Sequence, residues 1–127
     1  MKNDVQQMMA AANAVIDTIA VHDAINYLND SRVVFIDLRE NSERQQAGLI
    51  PGAVHAPRGL LEFYADPSMP MHKPIFSSTK KLVLFCAKGG RSILATKTLI
   101  DMGLTNVKNM AGGFAAWKEA GGTVEKS

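Results

Sequence analysis

Two stretches dominate the hydrophobic pattern of this chain. Val33-Val34-Phe35-Ile36-Asp37-Leu38 and Lys81-Leu82-Val83-Leu84-Phe85-Cys86 are short apolar runs rich in β-branched and aromatic residues. Such runs are buried on both faces, as in a parallel sheet, so each predicts a strand. Shorter strands are predicted at Ile19-Ala20-Val21, at Ala53-Val54-His55 and over 106–110. Helical spacing fills the gaps. Residues 22–29 place Ala24, Ile25 and Leu28 on one side, and 91–102 place Ile93, Leu94, Ala95, Leu99 and Ile100 available for burial. Polar residues 40–47 and the segment 114–119 add two short helices. Strand and helix alternate, which predicts an α/β domain with a mainly parallel sheet and helices on both faces.

Two segments stand apart from this pattern. Residues 4–16 read as an Ala-rich helix with Val5, Met8, Met9, Ala12 and Ile16 on one face. That stripe is either packed on the domain, the commoner case, or a partner surface that would allow a homodimer. Residues 57–80 hold Pro57, Pro67, Pro70 and Pro74 together with Phe63, Tyr64 and Phe76. A short helix over 58–64 and an irregular excursion are expected, forming either an aromatic mini-core or a lid. The expected organisation is an N-terminal helical extension (1–16), one domain (17–122) and a polar tail (123–127).

Composition removes several function classes. A chain of 127 residues suits one core. The net charge of +2, with no run of Lys or Arg, gives nucleic acid no footing. The chain has a single cysteine, so an intramolecular disulfide, a CxxC redox pair and a Cys-rich zinc site are excluded. His22, His55 and His72 lack metal-ligand spacing, and neither metal nor cofactor is expected. Asn13 and Asp17 interrupt the N-terminal apolar stretch, so neither a signal peptide nor a membrane span is expected and the default location is cytoplasmic.

The single thiol is the candidate for chemistry. Cys86 ends a predicted strand, and Ala87, Lys88, Gly89 and Gly90 lead to Arg91 and a helix. Ligands of open α/β sheets bind at the carboxyl ends of strands. A glycine-rich loop there can curl and turn its N–H groups inward, and the helix N-terminus adds positive potential. Such a cradle favours the ionised sulfur, with Lys88 and Arg91 adding charge, and no separate general base is needed. A lone Cys at a strand end is otherwise most often inert core, and Lys88 a solvated loop lysine. The Gly-Gly-Arg-Ser context favours chemistry. A phosphate-binding Cys loop has five residues between Cys and Arg; here there are four. The shorter loop suits one extra sulfur on Cys86 better than a tetrahedral phosphate.

Asp37-Leu38-Arg39-Glu40, Glu43, Gly48-Leu49-Ile50-Pro51-Gly52-Ala53, the strand and loop Leu82 to Arg91, and Ala111-Gly112-Gly113-Phe114-Ala115-Ala116-Trp117 follow one another in a recognisable order. Together, over roughly residues 17–121, they resemble the single-domain members of the rhodanese family. Leu49 stands where that family usually has His. The resemblance implies a five-stranded parallel sheet flanked by helices, with an N-terminal helix extra to the minimal domain. It implies a thiosulfate sulfurtransferase in which Cys86 takes the outer sulfur of an anionic donor such as thiosulfate. Cys86 then passes the sulfur from its persulfide to a thiophile, which is cyanide in the assay and a thiol or protein in the cell. The amides of Ala87, Lys88, Gly89, Gly90 and Arg91 would hold the persulfide. Lys88 and Arg58 would offer charge to the donor. Asp37 and Arg39 are expected to form a structural ion pair or to hold loop amides, Trp117 to be core, and Asp23 and Glu43 to be solvated or capping. A non-catalytic partner-binding module and a Cys-dependent phosphatase or arsenate reductase are the alternatives.

Overall fold

The two apolar runs become neighbouring strands of a five-stranded parallel sheet. The computed structural model describes all 127 residues. Its strands are β1 (Thr18–Ile19), β2 (Val33–Asp37), β3 (Val54–His55), β4 (Lys81–Phe85) and β5 (Val107–Met110), in the order β1-β5-β4-β2-β3. β2 and β4 pair along their whole length, from Val33 opposite Lys81 to Asp37 opposite Phe85. Side chains alternate between the faces of a strand. Leu82, Leu84 and Cys86 therefore join one core with Ile36, Leu38 and Leu99, while Val83 and Phe85 join another with Phe35, Met110 and Trp117. Burial on both faces is the reason these strands have no polar alternation.

Six α-helices complete the chain: α1 (Val5–Asn13), α2 (Val21–Asn26), α3 (Asn41–Ala47), α4 (Leu61–Ala65), α5 (Gly90–Asp101) and α6 (Gly113–Glu119). Residues of α4 and α5 enter the first core, and residues of α2 and α6 the second. Trp117 of α6 is fully buried, meets Phe35 edge-on with ring centroids 5.3 Å apart, and donates its indole N–H to the Thr123 carbonyl at 2.8 Å. The expected helix over 4–16 stops at Asn13, where the chain turns to deliver Thr18 into β1. Asp4 and Gln7 close a reciprocal cap at its start, each bond 2.9 Å. The apolar stripe of α1 is divided. Ala12 is buried and Met9 half-buried where α1 packs on α5, while Val5 and Met8 stay exposed.

Residues 57–80 are an ordered part of the domain. Two 3-10 turns, Arg58–Leu60 and Pro74–Ser77, flank α4. Phe76 is buried in the same core as Leu61, Ala65 and Leu99, and Tyr64 packs against that core. His72 ties the excursion down through Nδ1 to the Tyr64 carbonyl at 2.9 Å and through Nε2 to the Ser77 hydroxyl at 3.1 Å. Phe63 is exposed. The C-terminal residues also dock: Leu49 and Glu125 exchange main-chain bonds of 2.8 and 2.9 Å. No helix is long and apolar enough to cross a membrane.

These contacts give Phe76 a packing role. Phe76→Ala should lower stability in denaturant unfolding by about 3–5 kcal/mol. The folded variant should keep the parent rate of Cys86 alkylation, whereas a changed rate without loss of stability would mark the segment as a lid.

Candidate active site

Cys86 follows the last residue of β4, and its neighbours are held by main-chain geometry. The Phe85 carbonyl accepts from Leu38 N–H at 3.0 Å, which fixes the strand end against β2. Beyond it the next two carbonyls leave the sheet and are taken by a helix start: Cys86 O accepts from Phe114 N–H at 2.8 Å and Ala87 O from Ala115 N–H at 3.0 Å. These amides belong to the first turn of α6, where helix N–H groups have no partner of their own. Gly113 makes the approach feasible. Its φ is +63°, and a Cβ there would lie 2.6 Å from Cys86 O and 2.8 Å from the Ala87 carbonyl. The Gly112-Gly113 pair is thus part of the Cys86 loop assembly.

Gly89 turns the loop back on the sulfur. At φ +113° it precedes α5 in the left-handed region and donates its N–H to Cys86 Sγ at 3.2 Å. The 12-residue α5 begins at Gly90, so its positive end also lies at the loop. A hydroxyl also approaches the sulfur: Ser92 Oγ stands 3.6 Å from Cys86 Sγ and donates to Gly89 O at 3.1 Å. Only 1% of Cys86 is exposed, which leaves the thiol at the floor of the loop.

The charged groups form two pairs around this floor. Arg91 gives both terminal nitrogens to the Glu43 carboxylate, each bond 2.8 Å. Glu43 also accepts from Glu40 N–H at 3.0 Å. The Arg91 hydrogen bond, against partial burial and helped by the Glu40 amide and the charges of Arg91 and Arg39, holds the Glu43 carboxyl down to about 2. Arg91 is raised in turn, mostly by its bond to Glu43, with smaller contributions from Glu43 charge and from Cys86. Arg39 is buried, at 1% exposure, and bonded through Nε and Nη2: it grips Asp37 at 3.0 and 2.9 Å and donates to Gly48 O at 2.8 Å. Its guanidinium stacks over Phe114 at 4.1 Å. Arg44 reaches the same Asp37 at 3.2 Å. His55 Nε2 lies 2.6 Å from Arg39 O.

A cavity of about 280 Å³ opens beside the loop, and its lining includes Arg39, Glu43, Ala87, Lys88, Phe114 and Lys118. None of its lining residues comes from 57–80, and a larger cavity of about 660 Å³ lies elsewhere, between Phe76 and Leu104. The structure brings Cys86 to Arg91 together, with Asp37 and Arg39 below them. It does not bring Arg58 there. That guanidinium pairs with Glu62 at 2.8 Å, reaches Thr98 Oγ1 at 3.3 Å and lines a separate cavity beside α1. Sequence reasoning missed Lys118, which carries no local signal, and the pairing of Glu43 with Arg91 across 48 residues. It gave Ser92 no role beyond its place in the Gly-Gly-Arg-Ser motif, and it passed over Asn109. Asn109, an uncharged polar residue within a predicted strand, is the one that pattern could have singled out.

A single buried thiol, with one loop amide directed at it, lies between a parallel strand and a helix of a small α/β domain. The model of the rhodanese-like domain family matches residues 20–120, and the chain belongs to that family. The human thiosulfate:glutathione sulfurtransferase is 30% identical over 108 residues, covering 80% of this chain and 93% of that protein. The Arabidopsis thaliana chloroplastic thiosulfate sulfurtransferase 16 is 33% identical over 91 residues, covering 68% and 75%. A solved structure from Rhodopseudomonas palustris, described as of unknown function and a possible tyrosine phosphatase, has 44% identity and a TM-score of 0.95, covering 98% of this chain and 96% of its own. The two curated relatives support sulfurtransferase activity for this chain.

The Glu43–Arg91 pair makes an acid-sensitive contribution to folding. A carboxyl lowered from 4.5 to about 2 contributes stability that is complete above pH 4.5 and is lost as pH falls towards 2. Glu43→Gln should therefore lower the melting temperature at neutral pH and flatten its fall over that acid window, measured by thermal unfolding at a series of pH values. A parallel fall in both proteins would mean that the pair contributes nothing.

Proposed function

We propose that this protein moves sulfane sulfur from a small anionic donor to a thiophilic acceptor through a persulfide on Cys86. The observation that carries this reading is the Gly89 N–H aimed at Cys86 Sγ from within 3.2 Å, inside a loop of four residues. A main-chain donor at that distance favours negative charge on sulfur. In the first half-reaction the Cys86 thiolate attacks the outer sulfur of thiosulfate. A new S–S bond forms on Cys86, the old one breaks, and its electron pair leaves with sulfite. In the second, the acceptor's electron pair takes the terminal sulfur and the Cys86 thiolate returns. No net oxidation of the protein occurs.

The neighbouring cavity supplies a place for the rest of the donor. Lys88 and Lys118 put positive charge at its rim, and Phe114, Ala87 and Ala115 provide apolar walls. A donor with a charged head and a reactive terminal sulfur matches that arrangement. The burial of Cys86 also favours attack on a one-atom terminus over attack on a tetrahedral phosphorus. The phosphatase reading has one observation in its favour, the description given to the Rhodopseudomonas palustris structure. Against it stands the pairing of Arg91, which gives one edge of its guanidinium to Glu43.

Intact mass after incubation with thiosulfate should rise by one sulfur atom, and cyanide should remove that atom with formation of thiocyanate. Cys86→Ser should show neither, and hydrolysis of an aryl phosphate by the parent without any sulfur uptake would overturn the reading. Lys88→Ala should raise KM for thiosulfate by about fivefold, the loss of ~1 kcal/mol from an exposed charge, with a smaller effect on kcat. An unchanged KM removes Lys88 from the donor site.

A further inference from the structure

Behind the Cys86 loop runs a chain of uncharged polar groups that the proposed reaction does not use. Asn109 of β5 sits opposite Thr18 of β1 in parallel register, so their side chains share a face of the sheet. Asn109 Nδ2 donates to Thr18 Oγ1 at 3.3 Å. On its other side Asn109 Oδ1 accepts from the Ser92 hydroxyl at 2.6 Å. Ser92 lies in the first turn of α5, and its oxygen stands 3.6 Å from Cys86 Sγ. Ser92 and Asn109 are both buried, at 0% and 2% exposure. A fixed polar pair inside an apolar core has a desolvation cost that well-packed apolar residues would avoid.

The bonding capacity of these groups sets two arrangements. In the one observed, the single proton of Ser92 serves Asn109 Oδ1 at 2.6 Å, with Gly89 O a second and longer acceptor at 3.1 Å, and the Ser92 lone pairs face the sulfur, which suits a neutral S–H that donates to them. That arrangement is wrong for a thiolate, because oxygen lone pairs would face a negative sulfur. A half-turn of the Asn109 amide reverses the chain. Thr18 O–H then donates to Oδ1, Nδ2 donates to Ser92 Oγ, and the Ser92 proton, released from Asn109, chooses between Gly89 O and the sulfur, of which the ionised sulfur is the charged acceptor. Thr18 serves both arrangements because a hydroxyl donates as well as accepts.

We propose that Asn109 is a positioning residue which, by reversing its amide, switches Ser92 from accepting at the Cys86 thiol to donating at the ionised sulfur. The proton lost from the thiol leaves to solvent, and no bond other than hydrogen bonds changes along the chain. The inference rests on Cys86 working as an anionic nucleophile, as the proposed function requires. It names a role that neither the loop amides nor the charged pairs fill. Gly89 N–H stabilises the sulfur from one side whatever its state, whereas Ser92 changes its polarity with the state of the sulfur.

The test is the pH profile of Cys86 alkylation by iodoacetamide, which the single cysteine makes unambiguous and which needs no sulfur donor. Ser92→Ala should move the profile up by about one unit, the loss of one hydrogen bond to a charged sulfur. Ser92→Thr, which keeps the hydroxyl, should restore it. Asn109→Asp accepts only, so it should hold the Ser92 proton and produce a similar upward shift. Every charged group around the sulfur is retained in these variants: Arg91 on α5, Glu43 on α3, Lys88 in the loop, and Asp37 and Arg39 at the end of β2. A carboxylate at 109 also acts on the sulfur through space, and the double variant separates the two effects. If Asn109 acts through Ser92, Ser92→Ala with Asn109→Asp shifts less than the sum of the single shifts. Additive shifts, or no shift in Ser92→Ala, overturn the proposal. Should Asn109→Asp fail to fold, the side-chain amide signals of Asn109 in the parent protein decide by NMR. They should move with the alkylation profile and stay fixed in Cys86→Ser, and signals that ignore Cys86 ionisation overturn the switch. Failure of sulfur uptake with these couplings intact would sink the proposed function and leave the switch standing.

Discussion

The loop around Cys86 keeps its shape because two of its carbonyls are taken by amides from a different helix. Cys86 O and Ala87 O have left the β4 ladder, and Phe114 N–H and Ala115 N–H receive them at 2.8 and 3.0 Å. A buried carbonyl without a partner is costly, so the loop and the start of α6 cannot be displaced separately. Their junction accepts no side chain at Gly113, where a Cβ would meet the Cys86 carbonyl at 2.6 Å. With two carbonyls turned away to α6, the loop brings Gly89 N–H to the sulfur. The polarity of the site follows from that division of donors and acceptors.

Charge is arranged around this main-chain assembly without taking over its role. Arg39 is a buried cation paired with Asp37, bonded to Gly48 O and covered on its face by Phe114. Because Phe114 also supplies an amide to Cys86 O, the buried pair at the end of β2 supports the floor of the loop from below. Arg91 is held by Glu43 and links α5 to α3 across the mouth. The cations left with exposed heads, Lys88 and Lys118, are the ones facing the open cavity. The domain thus separates cations that build from cations available to a ligand. A paired buried charge is kept in place by the cost of unpairing it.

Much of this molecule can be read from pattern alone. The runs at 33–38 and 81–86 identify two strands, and the side-chain alternation within them places Cys86 on the α5 side. The glycines flanking the loop, its length of four residues and the order of the surrounding motifs point to a sulfur-handling thiol and to the family. These features are local, or depend only on order along the chain, which is why they survive without coordinates. Residues 57–80 show the boundary of such reading. Their prolines and aromatics predict an irregular segment, but only packing places Phe76 in the main core beside Leu99.

What the sequence by itself determined is the backbone plan: alternating strands and helices, a tight glycine loop after β4, and one thiol at its start. Tertiary structure alone decided the partners. It turned Arg58 away to Glu62 and Thr98, paired Glu43 with Arg91, and set the first turn of α6 against the Cys86 loop. It also joined Ser92 to Asn109, 17 residues apart, behind the sulfur. The reason is physical. Secondary structure follows from contacts between near neighbours, whose spacing the chain dictates. The direction of a hydrogen bond or an ion pair depends on which distant groups the crossovers bring within reach, and that is settled only when the sheet is assembled.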